Sequence, residues 1–319
     1  MGLRYTGEKP EKEVFEVFRD TMTLLIEEDK NVVYLDADLM GSLKTQELWK
    51  KYPKQVFNVG IQEANMIGMA CGLYLNGFKP YVHSFSPFMS RRVFDQLFIS
   101  GAYAKKSLRV IGSDAGIMAT MNGGTHMCFE DVAMMRTIPG VCIADVSDPS
   151  MCRAFLRDTK DRPGITYIRM PRRDLPDIYD DDEKFTEGKG KILKEGSDVS
   201  LVACGIMVGT CLEAAKKLEE KGISAKVADI VTVKPIDRDL IIKCAEQTGL
   251  MVTAENANIH GGLGSAVAEV LSEDMPKKLL RIGINDEFGC IGNENFLREH
   301  FGLTADHIAQ KVCEALNGG

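Results

Sequence analysis

Four side chains stand out as capable of chemistry: a carboxylate that opens a helix, two phenylalanines after a strand, and a histidine in a glycine-rich turn. Glu63 follows Gly60-Ile61-Gln62 and precedes a run holding Gly68, Ala70, Cys71 and Gly72. Each glycine inside a helix costs about 1 kcal/mol against alanine, so something must approach this helix closely, either a neighbouring helix or a dimer partner. From spacing alone Glu63 reads first as an acid in a first helical turn, favoured by the helix dipole. Phe85 and Phe88, within HSFSPFMSRRVFDQL, are either core or the walls of a site for a planar ligand. Arg91 and Arg92 beside them are surface residues or an anion pair. Met121-Asn122-Gly123-Gly124-Thr125-His126 reads as a flexible polar turn. Histidine, with an unperturbed pKa near ~6.5, suits proton transfer, although a histidine hydrogen-bonded within its own turn fits the spacing equally well.

The elements that must carry these residues follow from periodicity. Short β-rich runs at 32–35, 80–84, 108–112, 141–145 and 165–169 alternate with stretches of helical spacing, which predicts a largely parallel sheet covered by helices. After a polar stretch from Asp177 to Gly190 the alternation resumes. It predicts strands at 199–203, 225–231, 250–254 and 279–284 and helices at 207–221, 238–247, 262–273 and 305–316. The fold class expected is α/β, in two domains of roughly 1–180 and 190–319 joined near residue 185. Ligands in open α/β sheets lie outside the carboxyl ends of strands, and the Asn122 to His126 turn lies beyond the strand at 108–112.

Composition narrows the function. The chain is 45% hydrophobic and 27% charged, with a net charge of −7 that is spread along its length; a nucleic-acid backbone is therefore not the expected partner. No apolar stretch approaches the ~20 residues that span a bilayer and no leader is evident, so a cytoplasmic protein is expected. The nine cysteines occur singly, without a C-x-x-C pair, and suit reduced core thiols better than disulfides or a metal site. Gly261-Gly262-Leu263-Gly264-Ser265 imitates a dinucleotide fingerprint, but Val267 stands where Gly or Ala is required. It reads as a tight strand-to-helix turn.

Taken in order, these segments resemble the C-terminal half of transketolases over nearly the whole chain. The matching residues are Leu35-Asp36-Ala37-Asp38-Leu39 with Ser42, Gly60-Ile61-Gln62-Glu63 and its helix, and Phe85 and Phe88 before Asp95-Gln96. Gly124-Thr125-His126 before Glu130-Asp131, the run from Arg169 to Pro176, VKPID ending at Asp237, and AENANIHGGLGSAVAEVL from Ala254 complete the set. The resemblance implies a pyrimidine-binding domain of thiamine-diphosphate enzymes followed by a transketolase C-terminal domain. It implies that Glu63 hydrogen-bonds the aminopyrimidine ring, that Phe85 and Phe88 enclose that ring, and that Asp38 lies near the thiazolium. It makes His126 the residue beside the substrate oxygens where protons move, and Ser42, Asn122 and Arg172 further substrate contacts. The implied activity is transfer of a two-carbon ketol unit from a ketose to an aldose. A G-D-G motif for magnesium and diphosphate is absent from the sequence, so a separate N-terminal subunit and an α2β2 assembly are expected.

Departures bear on the substrate. Asn122 stands where many transketolases have aspartate, Ser113 where a histidine is expected, and Phe15 or Glu16 where an arginine is expected. The phosphate grip is thus incomplete, and a branched, deoxy or differently substituted sugar is expected in place of an ordinary pentose phosphate. The competing readings are the β subunit of a 2-oxo-acid dehydrogenase decarboxylase, a 1-deoxyxylulose-phosphate synthase, and a non-catalytic module that kept the fold.

Overall fold

The computed structural model describes residues 4–173 and 175–317. Residue 174, inside the Arg169 to Pro176 run, and the outermost residues of the two expected domains lie outside the described residues.

The first half contains α1 (Val14–Glu28), β1 (Val32–Asp36), α2 (Gln46–Lys51), β2 (Val56–Asn58), α3 (Glu63–Leu75), β3 (Lys79–Phe85) and α4 (Ser86–Ser90). A tight turn at Arg91–Val93 and a wide π-helical segment at Gln96–Tyr103 lead to β4 (Leu108–Ser113), α5 (Asp131–Arg136), β5 (Cys142–Asp145), α6 (Pro149–Asp158) and β6 (Ile165–Met170). The second half contains β7 (Lys191–Lys194), β8 (Val199–Ala203), α7 (Met207–Glu219), β9 (Ala225–Asp229), β10 (Thr232–Lys234), α8 (Arg238–Gln247) and β11 (Leu250–Asn258). It closes with α9 (Leu263–Asp274), β12 (Leu279–Ile284), α10 (Glu294–His300) and α11 (Ala305–Asn317).

Two mostly parallel sheets result, ordered β10-β5-β6-β4-β3-β1-β2 and β12-β11-β8-β9-β7. Every residue of β1, β4, β5, β6, β8 and β9 is buried, because helices cover both faces of each sheet. This is why these strands read as largely apolar runs without a polar face. α1 turns Val14, Val17, Phe18, Met22 and Leu25 inward at helical spacing and opens on a Glu13/Glu16 capping box.

Three short strands, β2, β7 and β10, went unforeseen. The predicted strand at 225–231 ends at Asp229, and residues 232–234 form β10 instead. β10 follows the linker in sequence yet pairs antiparallel with β5, Thr232 opposite Ala144, and so completes the first sheet. Lys234 secures it by donating from Nζ to the carbonyls of Arg136 and Ile138, both at 2.7 Å. A three-residue strand, Thr-Val-Lys, carries no periodicity that says which sheet edge it joins.

A buried ionic cluster also joins the halves. Arg169 bonds Asp131 at 2.8 Å, Asp145 at 3.0 Å and the carbonyl of Asn256 at 2.6 Å, and Tyr167 donates to Asp131 at 2.8 Å. Desolvation pushes the Asp145 carboxyl up from its ordinary value, against the pull of Arg169. All nine cysteines are free thiols, seven of them buried.

Candidate active site

Glu63 is the first residue of α3, turned inward after Gly60 takes a left-handed conformation at φ 73°. The residue is 1% exposed. Its Oε1 accepts from Ser84 at 3.0 Å and its Oε2 from Arg92 at 2.7 Å. A buried carboxylate needs such partners, since unpaired it would lose its hydration with nothing in return. The Arg92 guanidinium lies 4.1 Å from the centroid of the Phe88 ring, so the same cation covers an aromatic face and a carboxylate.

Phe85 ends β3 and Phe88 sits one turn later in α4, with ring centroids 6.4 Å apart. His126 meets both edge-on, at 6.1 Å from Phe85 and 5.4 Å from Phe88, and its Nδ1 is 2.9 Å from the Thr125 hydroxyl. Arg172 lies over Phe85 at 5.4 Å and pairs with Asp114 at 2.6 Å. Glu63, Phe85, Phe88, His126 and Arg172 therefore converge at the carboxyl edge of the first sheet, where ligands bind in open α/β folds. Asp38 and Ser42 lie on the loop leaving β1 and make their bonds locally. Asp38 accepts from Asn58 at 3.0 Å and Ser42 donates to the Leu39 carbonyl at 2.7 Å. Asn122 is exposed at the end of a tight helical turn.

The turn expected to be flexible is instead gripped from the second domain. A Cβ on Gly124 would fall 2.4 Å from the Gly289 carbonyl, and one on Gly123 would fall 2.7 Å from Ile291. Upstream, Asn256 accepts from the Ile117 amide at 3.0 Å and donates to the Ala115 carbonyl at 3.1 Å, pressed against Gly116. Beneath lies a second network. His83 bonds Asp36 at 2.8 Å and Ser113 at 2.9 Å, and Asp36 also accepts from Tyr34 at 2.7 Å and from the Leu39 amide at 2.5 Å.

Asp114, His83 and Asn256 were missed as site residues, and Arg92, read as a surface residue or part of an anion pair, pairs with Glu63. Arg92 carried a usable signal, because it follows Phe88 by four residues, the spacing that stacks side chains along a helix. The others act through partners 30 to 141 residues away, which leaves no local trace.

Fold and site together define a two-domain α/β protein that gathers a buried carboxylate, two phenylalanines and a histidine at the carboxyl edge of its first sheet. Residues 11–177 match the family described as Transketolase, pyrimidine binding domain, and residues 188–308 match Transketolase, C-terminal domain. The chain belongs to the transketolase family. It is 45% identical over 300 residues to a 6-deoxy-6-sulfo-D-fructose transketolase subunit of Clostridium sp. (strain MSTE9), covering 93% of each chain. It is 34% identical to one of the apulose-4-phosphate transketolase subunits of Phocaeicola vulgatus, covering 93% of this chain and 95% of the relative. The solved structure of a split-gene transketolase, described as an inactive β4 tetramer, matches with a TM-score of 0.86 at 39% identity over 96% of this chain and 98% of that one. The transketolase of Campylobacter jejuni shares the fold, with a TM-score of 0.80 at 19% identity over 96% of this chain and 47% of that one.

The family implies thiamine diphosphate and a divalent metal. The residues present fit the ring end of that cofactor, since a buried, doubly bonded carboxylate stands beside two aromatic walls, one of which already carries a flat cation. Among the described residues, no cluster of three or more His, Cys, Asp or Glu side chains is arranged to hold a metal ion, and no helix is long and apolar enough to cross a membrane.

Proposed function

We propose that this chain is the C-terminal subunit of a two-chain, thiamine-diphosphate-dependent transketolase that transfers a two-carbon ketol unit from a ketose to an aldose in the cytoplasm. When bound, the cofactor supplies a carbon nucleophile for the ketose carbonyl and accepts the electron pair released as the adjacent carbon–carbon bond breaks. Glu63 would hold a proton at a pyrimidine ring nitrogen of the bound cofactor, and Phe85 and Phe88 would fix that ring plane and exclude water. His126, edge-on to both phenylalanines, gives and takes protons at the sugar oxygens. Asp38, on the loop leaving β1, would lie beside the cofactor, and Ser42, Asn122 and Arg172 would hold the sugar. The observation that carries this reading is the buried Glu63 carboxylate converging with Phe85, Phe88 and His126, a set the fold alone does not require.

Magnesium and the diphosphate fall to an N-terminal partner subunit, with two copies of each chain in the assembly. The outer face of α3 supports this. Cβ atoms on Gly68 and Gly72 would meet nothing within 4 Å, and Ile61, Met69, Leu75, Ile99 and Tyr103 are exposed nearby in the chain. Large apolar side chains beside bare glycines suit a surface that another chain covers. Named relatives that are themselves subunits support it as well.

The test is a ketol-transfer assay with thiamine diphosphate and magnesium, using this chain alone and then with the N-terminal transketolase subunit of the same source. Activity in the mixture only is the expected result. Cofactor binding with turnover of 2-oxo acids alone would favour a decarboxylase β subunit; no cofactor binding would favour a non-catalytic module.

A further inference from the structure

Both guanidinium groups stacked on the two phenylalanines are already matched by carboxylates of this chain, Arg92 by Glu63 and Arg172 by Asp114. The second pair is built into the sheet. Asp114 directly follows β4 and Arg172 stands two residues beyond β6, on neighbouring parallel strands whose ends Ser113 and Met170 are in register. The Asp114 backbone takes φ 52°, a left-handed conformation aspartate tolerates better than most residues, and its amide donates to the Met170 carbonyl at 2.9 Å. Its side chain is 5% exposed, against 26% for Arg172, so the aspartate is fixed and the arginine is the part a ligand meets.

Resting on the transketolase reading above, we infer that Asp114 sets donor specificity by tempering Arg172, so that the ketose received ends in a singly charged sulfonate and not in a phosphate dianion. An arginine that grips a phosphate monoester answers a charge of about −1.5 to −2 at neutral pH. Here the guanidinium's single charge is already offset by Asp114 at 2.6 Å. A dianion would meet the buried carboxylate as a like charge. A sulfonate offers the same three oxygens to the free edge of Arg172 at lower charge. Asp114 does not touch the reacting carbons; it is a positioning and charge-setting residue.

The experiment compares 6-deoxy-6-sulfo-D-fructose with D-fructose 6-phosphate as donors for the two-chain enzyme, which isolates the terminal group. At pH 7.5 the sulfonate is expected to lead by at least tenfold in kcat/KM, and calorimetric binding to the cofactor-free complex is expected to rank the two alike. The lead narrows at pH 5.5, where the phosphate takes up its second proton near its pKa of ~6. Asp114→Asn, nearly isosteric, is expected to raise the phosphate donor at least tenfold relative to the sulfonate. A wild-type preference for phosphate, or a ratio unmoved by both Asp114→Asn and pH, overturns the Asp114 assignment and leaves the transketolase reading standing. Silence with every donor overturns both. If Asp114→Asn does not fold, the wild-type ratio and its pH dependence still decide.

Discussion

Arg92 donates to Oε2 of Glu63 at 2.7 Å across 29 residues of sequence. Together with the Ser84 hydroxyl at 3.0 Å, that bond fixes the buried Glu63 carboxyl, and the same guanidinium lies over the Phe88 ring.

Replacing Glu63 by Gln retains the shape and an acceptor oxygen but removes the proton-sharing group. Assembly with the partner subunit is expected to persist while turnover falls at least ~100-fold, the scale of general acid–base assistance. Steady-state kinetics together with sedimentation of the mixture checks both halves. Undiminished turnover would remove Glu63 from the mechanism.

Gly72→Ala in α3 should have opposite effects on the chain and on the complex. In the isolated chain the new methyl group meets nothing within 4 Å, and helix propensity gains about 1 kcal/mol, so thermal stability is expected to rise. Association with the partner subunit is expected to weaken if that subunit packs on the bare face. Equal affinity for the two forms, measured by calorimetry, would mean that this face is not the contact.

Asp36→Ala strips a buried acceptor from Tyr34, His83 and the Leu39 amide at once. With Asp36 and His83 both at 0% exposure, the expected loss is about 2–4 kcal/mol in denaturant unfolding, since buried donors left without an acceptor cost about 1–3 kcal/mol each. The loop bearing Asp38 and Ser42 should loosen with it. A loss below about 1 kcal/mol, within the range of a surface pair, would show that the network holds little.

Asp229 governs a pH dependence. It is fully buried, accepts from Ser147 and Tyr179 at 2.7 Å each, and burial pushes its carboxyl up to about 7. The folded chain therefore keeps a proton that the unfolded chain releases near its ordinary pKa of 3.8. Stability from this group is full below that value and is lost as pH rises through about 7. Wild type should lose stability between pH 4.5 and 8 relative to Asp229→Asn, whose amide stays neutral, with an upper bound of about 4 kcal/mol for a three-unit shift. Parallel stability curves for the two proteins would remove Asp229 as the source.

Most of the strands were legible because both sheets are mostly parallel and covered on each face, which makes β1, β4, β6 and β8 fully buried and predominantly apolar. Glu63, Phe85, Phe88 and His126 stood out through their residue types and local spacing, and the tertiary structure gathers them at one sheet edge. β10 was illegible for the opposite reason: three residues hold no period, and their partner β5 lies some ninety positions earlier.

The chain's sequence determined what depends on neighbours: the helix that begins at Glu63, the strand that ends at Phe85, the glycine-rich turn before His126, and the alternation that makes two α/β layers. The tertiary structure decided what depends on charge meeting charge at a distance. Arg92 closes on Glu63, Asp114 restrains Arg172, and Asn256 reaches from the second domain to hold the turn after β4. Coulombic and hydrogen-bond partners are chosen by proximity in space within a poorly screened interior, and that proximity exists only once the parallel strands have brought their carboxyl ends together.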